Sequence, residues 1–354
     1  MNVSDVWYSH HGDDDDVVLS SRVRLARNLA NFPFPTKFRG SDGERIRSIV
    51  FDAFNQLDNA ESYHSIAVNQ FMPSGTKVLI ECGILEPVQD DRDCGVVVRA
   101  DGKVSCTVNI CDHVRIAVFS SGLDFALSEG RYVDAGLQKS VQFAASYDFG
   151  YLTSSLFDAG SGMKLSCRLH LPALTLLGRI GSVGDSLGKK GFSFTATYGL
   201  GSKGSSLGAF YTASSLNCRA GTEFDQSASM QAAMRQIVEQ ERLAREQCSR
   251  ELSTMIKNSV YRSYALANYS MLLDTKEAIE IISGLKLGMD IKLLEGTVEN
   301  LNALLYRIQD GHLELALKDC HFDLEEDISQ SPSKKNERLR ALVLKETAQA
   351  LYIA

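Results

Sequence analysis

No two of the eight cysteines form a C-x-x-C pair, and positions 82, 94, 106, 111, 167, 218, 248 and 320 show no clustered metal-ligand spacing. No metal site is therefore expected, and the thiols read as reduced, as in a cytosolic protein. Nowhere do 18 apolar residues run together, and the opening MNVSDVWYSHHGDDDD has neither a basic nor an apolar leader region. A chain that is neither secreted nor membrane-spanning, and is cytoplasmic, is the expectation. Positive charge is not in excess either, with 37 Lys+Arg against 44 Asp+Glu and a net charge of -7. That argues against a general binder of nucleic acid or anionic membrane, so any phosphate site must be a local basic pocket. What is present is length, since 354 residues suffice for one large core and a second, smaller domain.

The chain is organised around residues 17–34, VVLSSRVRLARNLANFPF. In an extended backbone Arg22 and Arg24 point one way while Val23 and Leu25 point the other. Two guanidinium forks side by side repel unless an anion lies between them, and their shape matches phosphate or carboxylate oxygens. A polyanion site is one reading; arginines that keep a strand soluble are the other.

Before this stretch, His10, His11 and the four aspartates Asp13 to Asp16 read as a flexible acidic turn, with a metal site as the alternative. Ile46, Ile49, Val50 and Phe54 share one stripe of a helix over 42–57. Residues 95–118 predict a strand pair turning at Ala100 to Lys103. Its second strand places Ser105, Thr107, Asn109, Cys111, His113 and Arg115 on one face, either functional or merely solvated, and turns Asp112 to the other. Residues 119–148 read as helix, and Leu152 begins another β stretch. Lys164, Ser166, Arg168 and His170 alternate with apolar residues, and 192–198 supplies the last strand of the set.

The loop Gly199 to Gly208 contains a literal G-x-G-x-x-G, but no helix with a matching acidic residue follows, so a mobile glycine loop is the better reading. From Gln226 the chain is helical. Met230, Met234, Ile237 and Val238 form a stripe with Glu241 and Arg245 on the far side, a second helix is capped at Asp274 to Glu277, and a third follows Thr297. This tail reads as a packing or dimerisation module.

SSRVRLARNL followed by FPFP resembles the opening signature of the ATP:guanidino phosphotransferases, in particular their bacterial protein arginine kinase branch. Asp112-His113-Val114-Arg115, Tyr151-Leu152-Thr153-Ser154, His170-Leu171-Pro172-Ala173-Leu174, Tyr198-Gly199 and Val260-Tyr261-Arg262-Ser263-Tyr264 continue the likeness over nearly the whole chain. The resemblance implies an α+β fold, an antiparallel sheet flanked by helices over 1–255 and an all-helical C-terminal domain over 256–354. It implies ATP with Mg as the substrate complex, a homodimer, and partners among adaptors and Clp-type protease components.

Carried over residue by residue, the resemblance makes Arg22, Arg24 and Arg115 nucleotide-binding arginines and leaves Lys164 in place of a fourth. Thr195 stands where the fifth should be, and Cys82 and Gly83 replace a basic and a histidine position. The two family carboxylates that orient and deprotonate the guanidinium fall at Cys111 and Leu200. Its C-P-T-N segment reads Ser155-Leu156-Phe157-Asp158, and its phosphoarginine-reading motif falls at Lys335 to Leu339. The expectation is a pseudokinase acting as scaffold or regulator in protein quality control. The alternatives are an active arginine kinase using Asp112 or Asp158 as substitute base, and a sensor that holds ATP or ADP without turnover.

Overall fold

The computed structural model describes residues 7–9, 12–88, 90–201, 204–219, 221–298 and 301–354. His10 and His11 of the acidic turn, and Ser202 and Lys203 of the glycine loop, lie outside them. Alternating apolar and polar residues suit a sheet covered on one face. Eight such segments form β1 (Val18–Arg27), β2 (Tyr63–Ala67), β3 (Gly95–Arg99), β4 (Val104–Val108), β5 (Val114–Ser120), β6 (Met163–His170), β7 (Phe192–Ala196) and β8 (Phe210–Ser215). They pair antiparallel in the order β2-β3-β4-β5-β1-β6-β8-β7, which places the arginine strand β1 near the centre. β8 inserts between β6 and β7, so 192–198 is the edge of the sheet and not the last strand in the chain.

Around the sheet stand α1 (Asp42–Phe54), α2 (Pro73–Glu81), α3 (Leu123–Gln138), α4 (Pro172–Leu176), α5 (Ile180–Lys189) and α6 (Glu223–Glu251). The tail adds α7 (Ser253–Tyr269), α8 (Thr275–Asp290), α9 (Leu301–Arg307), α10 (Asp310–Asp319), α11 (Glu326–Ser329) and α12 (Pro332–Gln349). The apolar file of β1, Val23 and Leu25, is buried under α3, and Leu165, Cys167 and Leu169 of β6 are buried with it. The capping box read at Asp274 forms, its side chain accepting from Glu277 N at 2.8 Å.

Two local expectations fail for reasons of tertiary contact. The polar file of 104–115 is not one strand, because Asn109 takes φ +62° and the chain reverses between β4 and β5. Asparagine tolerates this left-handed conformation, and its Nδ2 is held by Gly43 O at 2.8 Å and Asp93 O at 2.9 Å. Asp112 therefore does not turn away from Arg115. Glu241 and Arg245 do not sit on a solvated far side either. Both are buried, Glu241 accepting from Ala173 N and Leu174 N, each at 3.0 Å, where the first turn of α4 leaves donors without helical partners. Arg245 ties Glu241 to Asp290 and to Asp16 of the acidic turn.

Two buried histidines make stability depend on pH. His113 accepts from Leu29 N through Nδ1 and donates through Nε2 to Pro33 O, both at 2.9 Å, so it is neutral. His170 lies 2.8 Å from Ser283 Oγ, and its Nδ1 has no partner among the described residues. Burial lowers both pKa values, for His170 with added repulsion from Arg245 and Lys286. Groups depressed in the folded state stabilise it above the unfolded value of about 6.5, and that contribution is lost as pH falls. Between pH 7.5 and 5.5 the histidines are expected to lower the urea midpoint, while Asp290, whose carboxyl pKa burial raises to about 6, gains stability over the same range and offsets part of the drop; in an Asp290→Asn background an unchanged midpoint would refute the assignment.

Candidate functional site

The register of the central strands assembles one polar face. Arg24 of β1 lies opposite Lys164 of β6, Arg22 opposite Ser166, and Ala26 opposite Arg115 of β5, whose other neighbour is Thr107. Arg22, Arg24, Arg115 and Lys164 therefore share the face away from α3. Arg27, the third arginine of the same run, points the other way and is fully committed. Its Nε and Nη2 donate to Asp134 at 3.0 and 3.2 Å, its Nη1 donates to two carbonyls, and its guanidinium lies 3.6 Å from the ring centre of Tyr151. Gly162, at φ +65°, makes room for it, since a β-carbon there would lie 2.4 Å from Arg27 Nη1.

The cations on the polar face are met by the chain's own carboxylates. Asp158 Oδ2 accepts from Arg24 Nη2 at 3.3 Å and from Arg115 Nη2 at 3.5 Å. Glu86, 61% exposed, lies 3.4 Å from Arg115 Nη1 and 3.8 Å from Arg24 Nη1. Asp112, wholly buried, accepts from Asn28 Nδ2 at 2.9 Å and Ser154 N at 2.7 Å through Oδ1, and from Arg115 Nη2 at 3.2 Å through Oδ2. Arg22 donates instead to Ser166 Oγ at 3.3 Å and Gly83 O at 3.4 Å. Burial, with repulsion from Arg24 and Arg168, pushes its pKa down to about 10. A cavity of about 130 Å³ lined by Arg22, Arg24, Gly83, Glu86, Thr107 and Arg115 lies between these groups. Arg115 Nε is buried and has no partner among the described residues.

Cys111 is half-buried in the turn ahead of β5. Leu200 is 68% exposed beyond the edge strand β7, bridged to Ser206. Thr195 is exposed on β7, opposite Thr212. In Ser155-Leu156-Phe157-Asp158 the two apolar residues face solvent and only Asp158 turns inward. Cys82 is buried at the end of α2, its Sγ 3.8 Å from His312 Nε2 of α10, and His312 Nδ1 lies 2.8 Å from Glu81 Oε2. On α12, Arg338 is paired with Glu325, and Arg340 is buried against Ile308 O, Leu273 O and Asp310.

Glu86, Arg168, Tyr306 and His312 border this site and were not singled out from the sequence. Arg168 was legible in principle, four residues beyond Lys164 and in phase with it on a strand. Tyr306 and His312 had no local signal, because helices α9 and α10 bring them from the other end of the chain.

Residues 45–244 match the family model of the ATP:guanido phosphotransferase C-terminal catalytic domain, and 253–351 match that of the protein-arginine kinase McsB C-terminal domain. The protein-arginine kinase of Geobacillus sp. (strain WCH70) is 31% identical over 315 residues, 87% of this chain and 86% of that one. The protein-arginine kinase of Syntrophomonas wolfei is 29% identical over 307 residues, 84% and 85% of the two chains. Among solved structures, the duplicated taurocyamine kinase from Schistosoma mansoni superposes with a TM-score of 0.56 at 20% identity over 68% of this chain, which spans 35% of that longer protein. A lombricine kinase gives a TM-score of 0.56 at 14% identity over 68% of this chain and 70% of that one. At such identities the structures speak for the fold alone.

Proposed function

Because the chain belongs to the ATP:guanido phosphotransferase family, in its protein-arginine-kinase branch, we propose that it keeps the family's phosphate-facing sheet without its phosphoryl transfer. It acts as a scaffold or regulator in protein quality control. The observation that carries this reading is that, among the described residues, the carboxylates at the arginine cluster, Asp112, Asp158 and Glu86, are each already engaged by its guanidinium groups. Moving a phosphoryl group onto a guanidinium needs cations around the phosphates and a carboxylate within hydrogen-bond reach of a very weakly acidic N–H. Cys111 and Leu200 occupy the family's carboxylate positions. Asp112 already accepts three hydrogen bonds, and Asp158 Oδ2 is held between two arginines. An oxygen clamped by two guanidinium groups is badly placed to take a proton from a third, which is why an active kinase built on Asp112 or Asp158 is the weaker reading.

Nucleotide binding without turnover remains compatible with the cations. Arg22, Arg24, Arg115 and Lys164 would hold the phosphates of ATP or ADP, with Mg carried by the nucleotide. The unpartnered Nε of Arg115 fits one more acceptor. Glu86 and Asp158 must give way for a polyphosphate to reach Arg24 and Arg115, so affinity is expected to be low. We assign the catalytic-type unit to 1–255 and the helical unit to 256–354, and assign to the latter a homodimer contact and the binding of adaptor or Clp-type protease components in the cytoplasm. No helix among the described residues is long and apolar enough to cross a membrane.

The test is transfer of labelled γ-phosphate from Mg·ATP to an arginine-rich protein and to the chain itself. At high protein concentration the acid-labile label is expected to stay at the level of an Arg22→Ala control. Acid-labile label well above that control would overturn the proposal and point to Asp112 or Asp158.

A further inference from the structure

Arg168 lies on the arginine face of β6, opposite Thr212 of β8, which in turn lies opposite Thr195 of β7. It thus occupies the same cross-strand row as the position from which an arginine is missing, two strands nearer the centre. Its Nη1 donates to Tyr306 Oη at 2.7 Å, and its guanidinium lies 5.6 Å from that ring's centre. Its Nη2 and Arg22 Nη1 approach one point beside Gly83, each 3.8 Å from where a β-carbon would stand.

What sets this pair apart is charge. Glu86 and Asp158 form ion pairs with Arg24 and Arg115, whereas among the described residues no carboxylate pairs with Arg22 or Arg168. The groups that surround Arg168 are Tyr306, Tyr198 and Cys82. Burial keeps all three protonated and uncharged, pushing the Cys82 thiol up to about 12 and raising both phenols. Glu86 of the same cavity acts on Arg22 only from beyond ion-pair distance, so the two guanidinium ions repel away from bulk water with little compensation, and an anion between them relieves both desolvation and repulsion. The cavity that reaches Arg22 and Gly83 gives such an anion a place.

We propose that Arg168 and Arg22 form an anion-binding pair beside Gly83, roofed by Tyr306, that takes phosphoryl oxygens. The source of those oxygens is either a nucleotide or free inorganic phosphate or pyrophosphate; only the nucleotide case rests on the function proposed above. Guanidinium forks and phosphoryl oxygens match in geometry, and the Tyr306 hydroxyl, which accepts from Arg168, has its own proton to donate. Helix α9 carries Tyr306, so the tail of the chain completes the site.

The single tryptophan gives a readout, because Trp7 packs edge-on against Tyr306 with ring centres 5.5 Å apart. Pyrophosphate and ADP are titrated separately into the full chain, followed by calorimetry and by Trp7 fluorescence, for the unaltered protein, Arg168→Gln, Arg168→Lys and Arg22→Ala. Arg168→Gln is expected to weaken pyrophosphate binding at least tenfold and Arg168→Lys less. Pyrophosphate is also expected to raise the melting temperature of the unaltered chain, a measurement that needs no variant to fold. ADP binding that is lost in Arg22→Ala but unchanged in Arg168→Gln would overturn the pair and leave the nucleotide reading standing. Pyrophosphate binding lost in Arg168→Gln, with ADP no tighter than pyrophosphate, would support the pair and overturn the nucleotide reading. No binding and no thermal shift with either ligand would overturn both.

Discussion

Asp112→Ala is expected to lower the stability of the chain by about 3–5 kcal/mol, the range for removing one partner of a buried ion pair. The Asp112 carboxylate is wholly buried and joins three parts of the chain: Asn28 just past β1, the backbone N of Ser154, and Arg115 on β5. Alanine would leave the Asn28 amide with only its bond to Leu152 O and the backbone N–H of Ser154 without its acceptor, each lost bond to a buried donor costing about 1–3 kcal/mol, and would take from Arg115 one of its counter-charges. Asp112→Asn keeps an acceptor but not the charge, and about half the loss is expected. Urea unfolding at pH 7.5 measures both. An alanine variant within about 1 kcal/mol of the unaltered chain would show that the carboxylate is dispensable to the fold, and would reopen its reading as a substitute base.

The second large effect concerns chemistry. Cys111→Glu combined with Leu200→Glu is expected to raise acid-labile label on an arginine-rich protein by on the order of 10²-fold over the unaltered chain, the low end of what a positioned base contributes. Each single change is expected to give little, because two groups that orient and deprotonate one guanidinium act as a unit. Adding Asp158→Asn removes the carboxylate that competes for Arg24 and Arg115, and a further rise is expected. If the double variant gains nothing while pyrophosphate still binds, the missing carboxylates are not what silences the chain, and the proposal that rests on them fails.

Much of the architecture could be read from local pattern. The alternation across 17–27 specifies a strand with Arg22 and Arg24 on one face and Val23 and Leu25 on the other, which is how β1 is built. The stripe of Ile46, Val50 and Phe54 specifies a helix with one buried side, and Asp274 with Glu277 marks where α8 begins. Each of these depends on residues within a turn or two of one another, and periodicity reports that range well.

Partnership at longer range could not be read in this way. Alternation ran through Asn109 to Arg115 because nothing in those residues announces that Gly43 and Asp93 will hold Asn109 in a left-handed turn. Helical spacing placed Glu241 away from the Met230 stripe, yet the bare amides of α4 draw it inside. Residue types at the site were legible without any coordinates: arginines on an alternating strand, and cysteine and leucine where the resemblance leads one to expect carboxylates. What those arginines face depends on contacts between distant segments. Arg24 and Arg115 meet Asp158 and Glu86, while Arg22 and Arg168 meet no carboxylate among the described residues, because these neighbours come from segments tens to more than a hundred residues away. A backbone period fixes the direction of a side chain, but only packing fixes what lies in that direction.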